Sequence, residues 1–143
     1  IFLCIIFSIV GYSTRLLICR SNSLGGIKYI LVFKTQKFKK GDIVLIKNHK
    51  TKNTTILSFA KRILGKPGTK ISKLKNTLQI GTSKLSLLTE THTAKTLTPL
   101  SSPFIPQNHV FVIGDHPRSF DSRYEEFGLV PYERIWGKGI ILW

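Results

Sequence analysis

The chain has 143 residues, 42% of them hydrophobic and 20% charged, with 22 Lys and Arg against 7 Asp and Glu and a formal net charge of +15. That is the length of one domain with a real core, too apolar for a disordered chain and too short for two full domains. The cationic excess calls for an anionic neighbour, nucleic acid or membrane headgroups, and composition alone does not choose between them.

The opening stretch "IFLCIIFSIVGYST" carries no charge before Arg15. As a helix it would reach about 21 Å, short of the roughly 30 Å hydrocarbon core. Residues 1–14 are therefore expected to be the end of a truncated transmembrane anchor, with the folded domain over 15–143. A short buried segment is the alternative, and no basic n-region or small-residue cleavage site marks a removable leader. The two cysteines, Cys4 and Cys19, lack the Cys/His spacing of a zinc site and read as inert thiols, so no metal is expected.

"TRLLICRSNSLGG" turns from apolar to small and polar and ends in a glycine pair that suits a loop. "IKYILVF" and "GDIVLIKN" are β-branched runs on either side of the basic turn "KTQKFKKGD", which predicts a strand pair. "TTILSFAKRILGKPGTKI" fits a buried strand or a short helix, closed by the Pro67-Gly68 turn. "NTLQIGTSKLSLL" predicts a small hairpin around Gly81, and the Thr-, Ser- and Pro-rich stretch 89–106 a surface loop crossing the fold. "HVFVIGD" and "GKGIILW" read as strands, the second closing the fold. The class is mainly β.

Three stretches could carry chemistry. Ser23, in "RSNSLGG", sits where glycines permit another chain's backbone to approach, with Ser21 two residues back and able to point the same way along an extended strand. A nucleophilic serine needs a base and oxyanion donors. His49, His92, His109 and His116 lie in polar or basic surroundings and read as solvated loop residues. Lys61 is set among Ile56, Leu57, Phe59, Ala60, Ile63 and Leu64. A lysine desolvated by such neighbours loses its proton more easily and can serve as a base, whereas an edge-strand lysine would snorkel out to water. The local pattern leaves both open. The third stretch, "GDHPRSFDSRYEEFG" at 114–128, gathers four of the chain's seven acids (Asp115, Asp121, Glu125, Glu126) around two arginines.

Taken together and in this order, "SNS" at 21–23, "FAKRILGKPGTKI" at 59–71 and "GDHPRSFDSRY" at 114–124 resemble the three boxes of the type I signal peptidases, membrane-anchored Ser/Lys endopeptidases. The resemblance runs from about Arg15 to Trp143. It implies a compact antiparallel β catalytic domain behind a transmembrane helix, in the bacterial inner membrane with the catalytic side periplasmic. By position, Ser23 resembles the nucleophile and Lys61 the general base. Ser21 resembles the serine that joins the Ser23 N–H in the oxyanion hole, and Ser119 the serine that orients the lysine. Asp121 and Arg123, with Asp115 beside them, resemble the ion-paired frame. The implied substrates are precursors carrying signal peptides, bound in extended form, with small pockets for the side chains before the cut. No cofactor and no nucleic acid are implied, and Lys34, Lys37, Lys39, Lys40, Lys47 and Lys50 would hold the domain against anionic lipid.

"SLGGIKY", "SFDSRY" and "GKGIILW" are similar to the conjugative-transfer (TraF-type) peptidases that process pilin, and less so to housekeeping leader peptidases. Gly25 and Gly26 stand where a proline is usual, Thr69 replaces the common Asp of "PGD", and His116-Pro117 replaces an Asn-Arg pair. Glu125 and Glu126 are an insertion into the third box, expected to lie in a solvated loop. The reading from another class is a basic nucleic-acid-binding module, which explains the charge but leaves the apolar opening without a role.

Overall fold

A computed structural model of the protein describes residues 13–18, 24, 29–47, 49, 58–91 and 94–142. Among them run the strands β1 (Thr14–Ile18), β2 (Tyr29–Lys34), β3 (Ile43–Lys47), β4 (Ser58–Gly65), β5 (Ile71–Leu74), β6 (Thr77–Ile80), β7 (Ser83–Ser86), β8 (His109–Ile113), β9 (Val130–Pro131) and β10 (Ile135–Ile141). Seven form one sheet in the order β1-β2-β10-β3-β4-β8-β9, and β5-β6-β7 form a second. Every pairing between these strands is antiparallel, as the mainly β reading expects. Residues 1–12 lie outside the described residues, and Thr14 already belongs to β1. No helix among the described residues is long and apolar enough to cross a membrane.

Two expectations change. The runs at 27–33 and 41–48 do become β2 and β3, but they do not pair, because β10 lies between them and bonds to both. Neighbouring strands stand about 4.8 Å apart, so the connection over 35–42 crosses a full strand's width rather than making a tight hairpin. β10 fits the slot because of "GKG". A Cβ on Gly137 would collide with the Phe33 carbonyl, and one on Gly139 would stand 2.5 Å from Ile30 Cγ2. The stretch 89–106 is also more than a surface loop. Leu97, Leu100 and Ile105 are buried with Ile71, Leu78, Ile80, Phe111 and Tyr124, between the small sheet and the β4–β8 side of the large one. Polar residues break up its apolar ones, so no strand period shows, yet their burial still removes apolar surface from water.

Within the ambiguous stretch, "SFAKRILG" resolves as β4. Its side chains alternate, and its register against β3 pairs Val44 with Lys61 and Ile46 with Phe59 on one face, and Leu45 with Ala60 on the other. The first face carries a core of Val44, Ile46, Ile63, Val110, Val112, Phe127, Val130 and Ile135. The second buries Ile30, Val32, Ile43 and Leu45 together with Leu24. Lys61 is thus the charged member of an apolar row.

Candidate active site

Strand alternation turns Lys61 inward with Phe59 and Ile63, and only 4% of it is exposed. Its Nζ donates to Ser119 Oγ at 2.7 Å. Burial lowers its pKa from 10.5 to about 8; the Asp121 charge works back upward, Arg123 pushes down again, and Asp115 raises it. This is the desolvated alternative, not the lysine that snorkels to water.

Ser119 is held by a tightly bonded loop. Its N–H donates to the His116 carbonyl at 3.0 Å. Arg123 sits behind it, 4% exposed, and each guanidinium N–H has an acceptor. Nε and Nη2 bind the two Asp121 oxygens at 2.8 and 2.9 Å. Nη2 also reaches the Ser119 carbonyl at 2.9 Å, and Nη1 those of Pro117 and Ser86 at 2.8 and 3.1 Å. Burial disfavours the Arg123 charge, but Asp121's hydrogen bonds and charge outweigh it and the pKa is raised. Asp121, fully buried, also accepts the Gly114 N–H at 3.0 Å, which ties the loop to the end of β8. Ser122 makes a second tie, accepting from the Val112 N–H at 3.1 Å and donating to the Gly128 carbonyl at 2.8 Å.

Asp115 does not join the Asp121–Arg123 pair. It forms a two-pronged pair with Arg62, both contacts 2.8 Å, and Arg62 also donates to the Gly41 carbonyl at 3.0 Å. The acids and arginines therefore make two separate pairs, one buried behind Ser119 and one half-exposed on the opposite face of β4. Asp115 still reaches Lys61 through its charge.

The structure brings Lys61, Ser119, Asp121 and Arg123 together. Ser21 and Ser23 lie outside the described residues, as do Cys4, Cys19, Gly25, Gly26 and His92. Leu24, the residue after Ser23, is described and is 1% exposed, in the cluster against which Ala60 packs. Among the described residues no group of His, Cys, Asp and Glu is arranged to hold a metal.

Three features were not foreseen. Glu125 and Glu126 are not simply solvated. Glu125 accepts from the Ser101 N–H and hydroxyl, both 2.6 Å, and Glu126 accepts the Thr98 N–H at 3.0 and 3.1 Å. With Glu125 N–H on the Thr98 carbonyl (2.8 Å) and Leu100 N–H on that of Arg123 (2.8 Å), they staple 98–101 to the loop that carries Ser119. His49, read as solvated, is 7% exposed and packs on Phe127 and Phe59. No local signal marks it, since its sequence neighbours "KN" and "KTKN" are polar. Arg62 was legible in principle: a period of two puts it on the face opposite Lys61.

A buried amine 2.7 Å from a hydroxyl, with the Phe127 ring centroid 6.0 Å away, can in its neutral form accept a proton near neutral pH. Compared with known proteins, residues 1–143 match the family model described as signal peptidase, peptidase S26. The chain is 28% identical to a signal peptidase I from Enterococcus faecalis V583, over 75% of this chain and 97% of that one, with a TM-score of 0.47. No curated protein matches it.

Proposed function

Because the chain belongs to the signal peptidase family, peptidase S26, whose serine proteases act on precursors bearing signal peptides, we propose that it cleaves such precursors with Ser23 as nucleophile and Lys61 as general base. The observation that carries this reading is the buried Lys61 amine, with its pKa lowered to about 8 and Ser119 Oγ at 2.7 Å. A base must be neutral when it takes a proton, and a neutral hydroxyl aims the amine without restoring its charge as a carboxylate would. The two aspartates of the loop are engaged by arginines instead, Asp121 by Arg123 and Asp115 by Arg62.

In this mechanism Ser23 Oγ bonds to the scissile carbonyl carbon as Lys61 Nζ takes the hydroxyl proton. The Ser23 N–H and the Ser21 hydroxyl hold the oxyanion. Lys61 then protonates the leaving amine as the C–N bond breaks, leaving an acyl-enzyme. Lys61 next takes a proton from an attacking water, whose oxygen bonds to the acyl carbon, and returns it to Ser23 Oγ as the ester opens. The extended substrate adds to a strand edge, and small pockets select the side chains before the cut. The motifs "SLGGIKY", "SFDSRY" and "GKGIILW" favour the conjugative-transfer branch with a pilin-type precursor over a housekeeping role. Incubated with a membrane-inserted precursor, the protein should make one cut at the signal-peptide boundary, and replacing the small residue before the cut by a bulky one should block it. Intact precursor, with retention of the protein on DNA at ~0.2 M salt, would instead establish the basic nucleic-acid-binding module.

The same reading makes the apolar residues ahead of β1 the end of a membrane anchor and sets the domain on the periplasmic surface of the inner membrane. An exposed apolar sheet face supports contact with lipid. Register puts Leu16, Leu31 and Ile140 in one row and Ile18 beside Tyr29 in the next, all on one face. Leu16, Ile18 and Ile140 are 60, 58 and 52% exposed. Lys34, Lys37, Lys39 and Lys40 follow on β2 and the loop after it. Burying one such apolar side chain is worth about 1.5–3 kcal/mol. For a chain beginning at Ser13, which keeps β1 whole, changing Leu16 and Ile18 together to Asp should weaken binding to anionic vesicles by at least about tenfold in a flotation assay. Unchanged flotation would remove this face from the membrane contact.

A further inference from the structure

The buried histidine lies directly behind the wall of the proposed base. His49, in the connection between β3 and β4, has Nε2 2.8 Å from the Phe127 carbonyl. A carbonyl only accepts, so Nε2 carries the hydrogen and donates it. The His49 ring lies against the Phe127 ring with centroids 4.8 Å apart and meets Phe59 edge-on at 6.5 Å. Phe127 in turn stands 5.2 Å from Phe59 and 5.4 Å from Phe120, the residue after Ser119. Its ring centroid is 6.0 Å from Lys61 Nζ. Phe127 is the shared member of these contacts, with His49 on one side and the amine, Phe59 and Phe120 on others.

We propose that His49 is a positioning residue for the base: its Nε2–H on the Phe127 carbonyl and its ring on the Phe127 ring hold that aromatic wall closed beside the Lys61 amine and keep water from it. Phe127 is the next-to-last residue of the 114–128 stretch, and the chain turns at once through Gly128, whose φ is +78°. Its N–H is bonded to the Tyr124 carbonyl at 3.1 Å. The other backbone polar group of Phe127 is therefore the one His49 controls, and the ring follows the backbone. The role needs only the Nε2–H, which the neutral imidazole carries, and the surroundings favour the neutral form. Burial lowers the His49 pKa, the bond to the Phe127 carbonyl raises it, and Arg134, on the turn before β10, lowers it again. Among the described residues, β4 and the 114–128 stretch present Phe59 and Phe127 to the ring.

This inference rests on Lys61 being the base, so its test reads the amine itself. His49→Leu keeps the volume and removes the donor, and His49→Gln keeps an N–H able to reach the carbonyl. In the full chain the Lys61 side chain is titrated by NMR, its signal identified by loss in Lys61→Met, alongside the pH profile of kcat/KM. Opening the wall hydrates the amine. His49→Leu should therefore raise the Lys61 midpoint from about 8 toward the ordinary lysine value by about one pH unit. At pH 7 kcat would fall about tenfold with KM unchanged, and His49→Gln should recover most of the loss. A folded His49→Leu protein whose Lys61 titrates where the wild type does overturns the proposal, even if activity drops. Should that variant not fold, Phe127→Leu removes the ring that His49 holds and must raise the midpoint instead; no rise there overturns it too. A raised midpoint in a chain that cleaves no precursor supports the positioning role and removes the catalytic reading of Lys61.

Discussion

Replacing Lys61 by methionine is expected to lower kcat for precursor cleavage by at least about 10³-fold while the domain stays folded and, at neutral pH, becomes more stable. A positioned general base contributes roughly 10² to 10⁴ in rate, and residues that act as a unit lose nearly all of it together, so Ser23→Ala should be as inactive. The stability gain follows from the same burial that makes the base. The Lys61 pKa falls from 10.5 to about 8 because its charged form is desolvated. Between those pH values the unfolded chain binds more protons than the folded one, so wild-type stability rises with pH across that window. The cost of the buried charge is present in full below about 8, on the order of 3 kcal/mol, and fades as the pH approaches 10.5. Methionine escapes that cost but forfeits the hydrogen bond to Ser119, worth about 1 kcal/mol. Urea midpoints for the two proteins should therefore differ most at pH 7 and converge by pH 10. Wild-type kcat/KM should rise with pH to a plateau above about 8, as the amine loses its proton. A Lys61→Met protein that still cuts within tenfold of wild type would remove lysine from the mechanism.

Asp121→Asn is expected to destabilise the fold by about 3–5 kcal/mol, because it strands the Arg123 charge in a buried site. Asp121 is fully buried and Arg123 4% exposed, and the pair is two-pronged at 2.8 and 2.9 Å. Removing both charges, as in Asp121→Asn with Arg123→Met, should cost less than the single change, since no uncompensated ion then remains. The single variant also discloses the electrostatics of the base. Asp121 holds the Lys61 pKa up and Arg123 pushes it down, so with the carboxylate gone the activity limb should move to lower pH. Unchanged urea stability for Asp121→Asn would mean that the pair does not hold the loop.

Strands and their order are set by different physics, the first local and the second not. Strand patterning is local, so β8 and β10 are legible as apolar runs, as is the hairpin around Gly81, where β6 meets β7, while β4 stays between strand and helix until the fold decides it. The order of strands was not. β2 and β3 follow one another in sequence and looked like partners, yet β10 returns from about a hundred residues later to lie between them. Nothing in either strand encodes that choice, which depends on which pairing lets the whole sheet bury the most apolar surface. The glycines of "GKG" leave room for that choice, since a Cβ at Gly137 or Gly139 would collide with β2.

The candidate site divides in the same way. The sequence by itself determined which residue types stand in the three boxes and in what order. It also determined that Lys61 has apolar neighbours and that the carboxylates concentrate at 114–128, because these are properties of composition and spacing. Only the tertiary structure decided that Lys61 is buried with Ser119 at 2.7 Å, that Asp115 belongs to Arg62 and Asp121 to Arg123, and that Glu125 and Glu126 staple 98–101. It alone decided that His49, in a basic stretch, lies behind the Phe127 ring. Burial and partnership are set by residues distant along the chain, and a charge acquires its pKa from whatever the folded chain brings beside it.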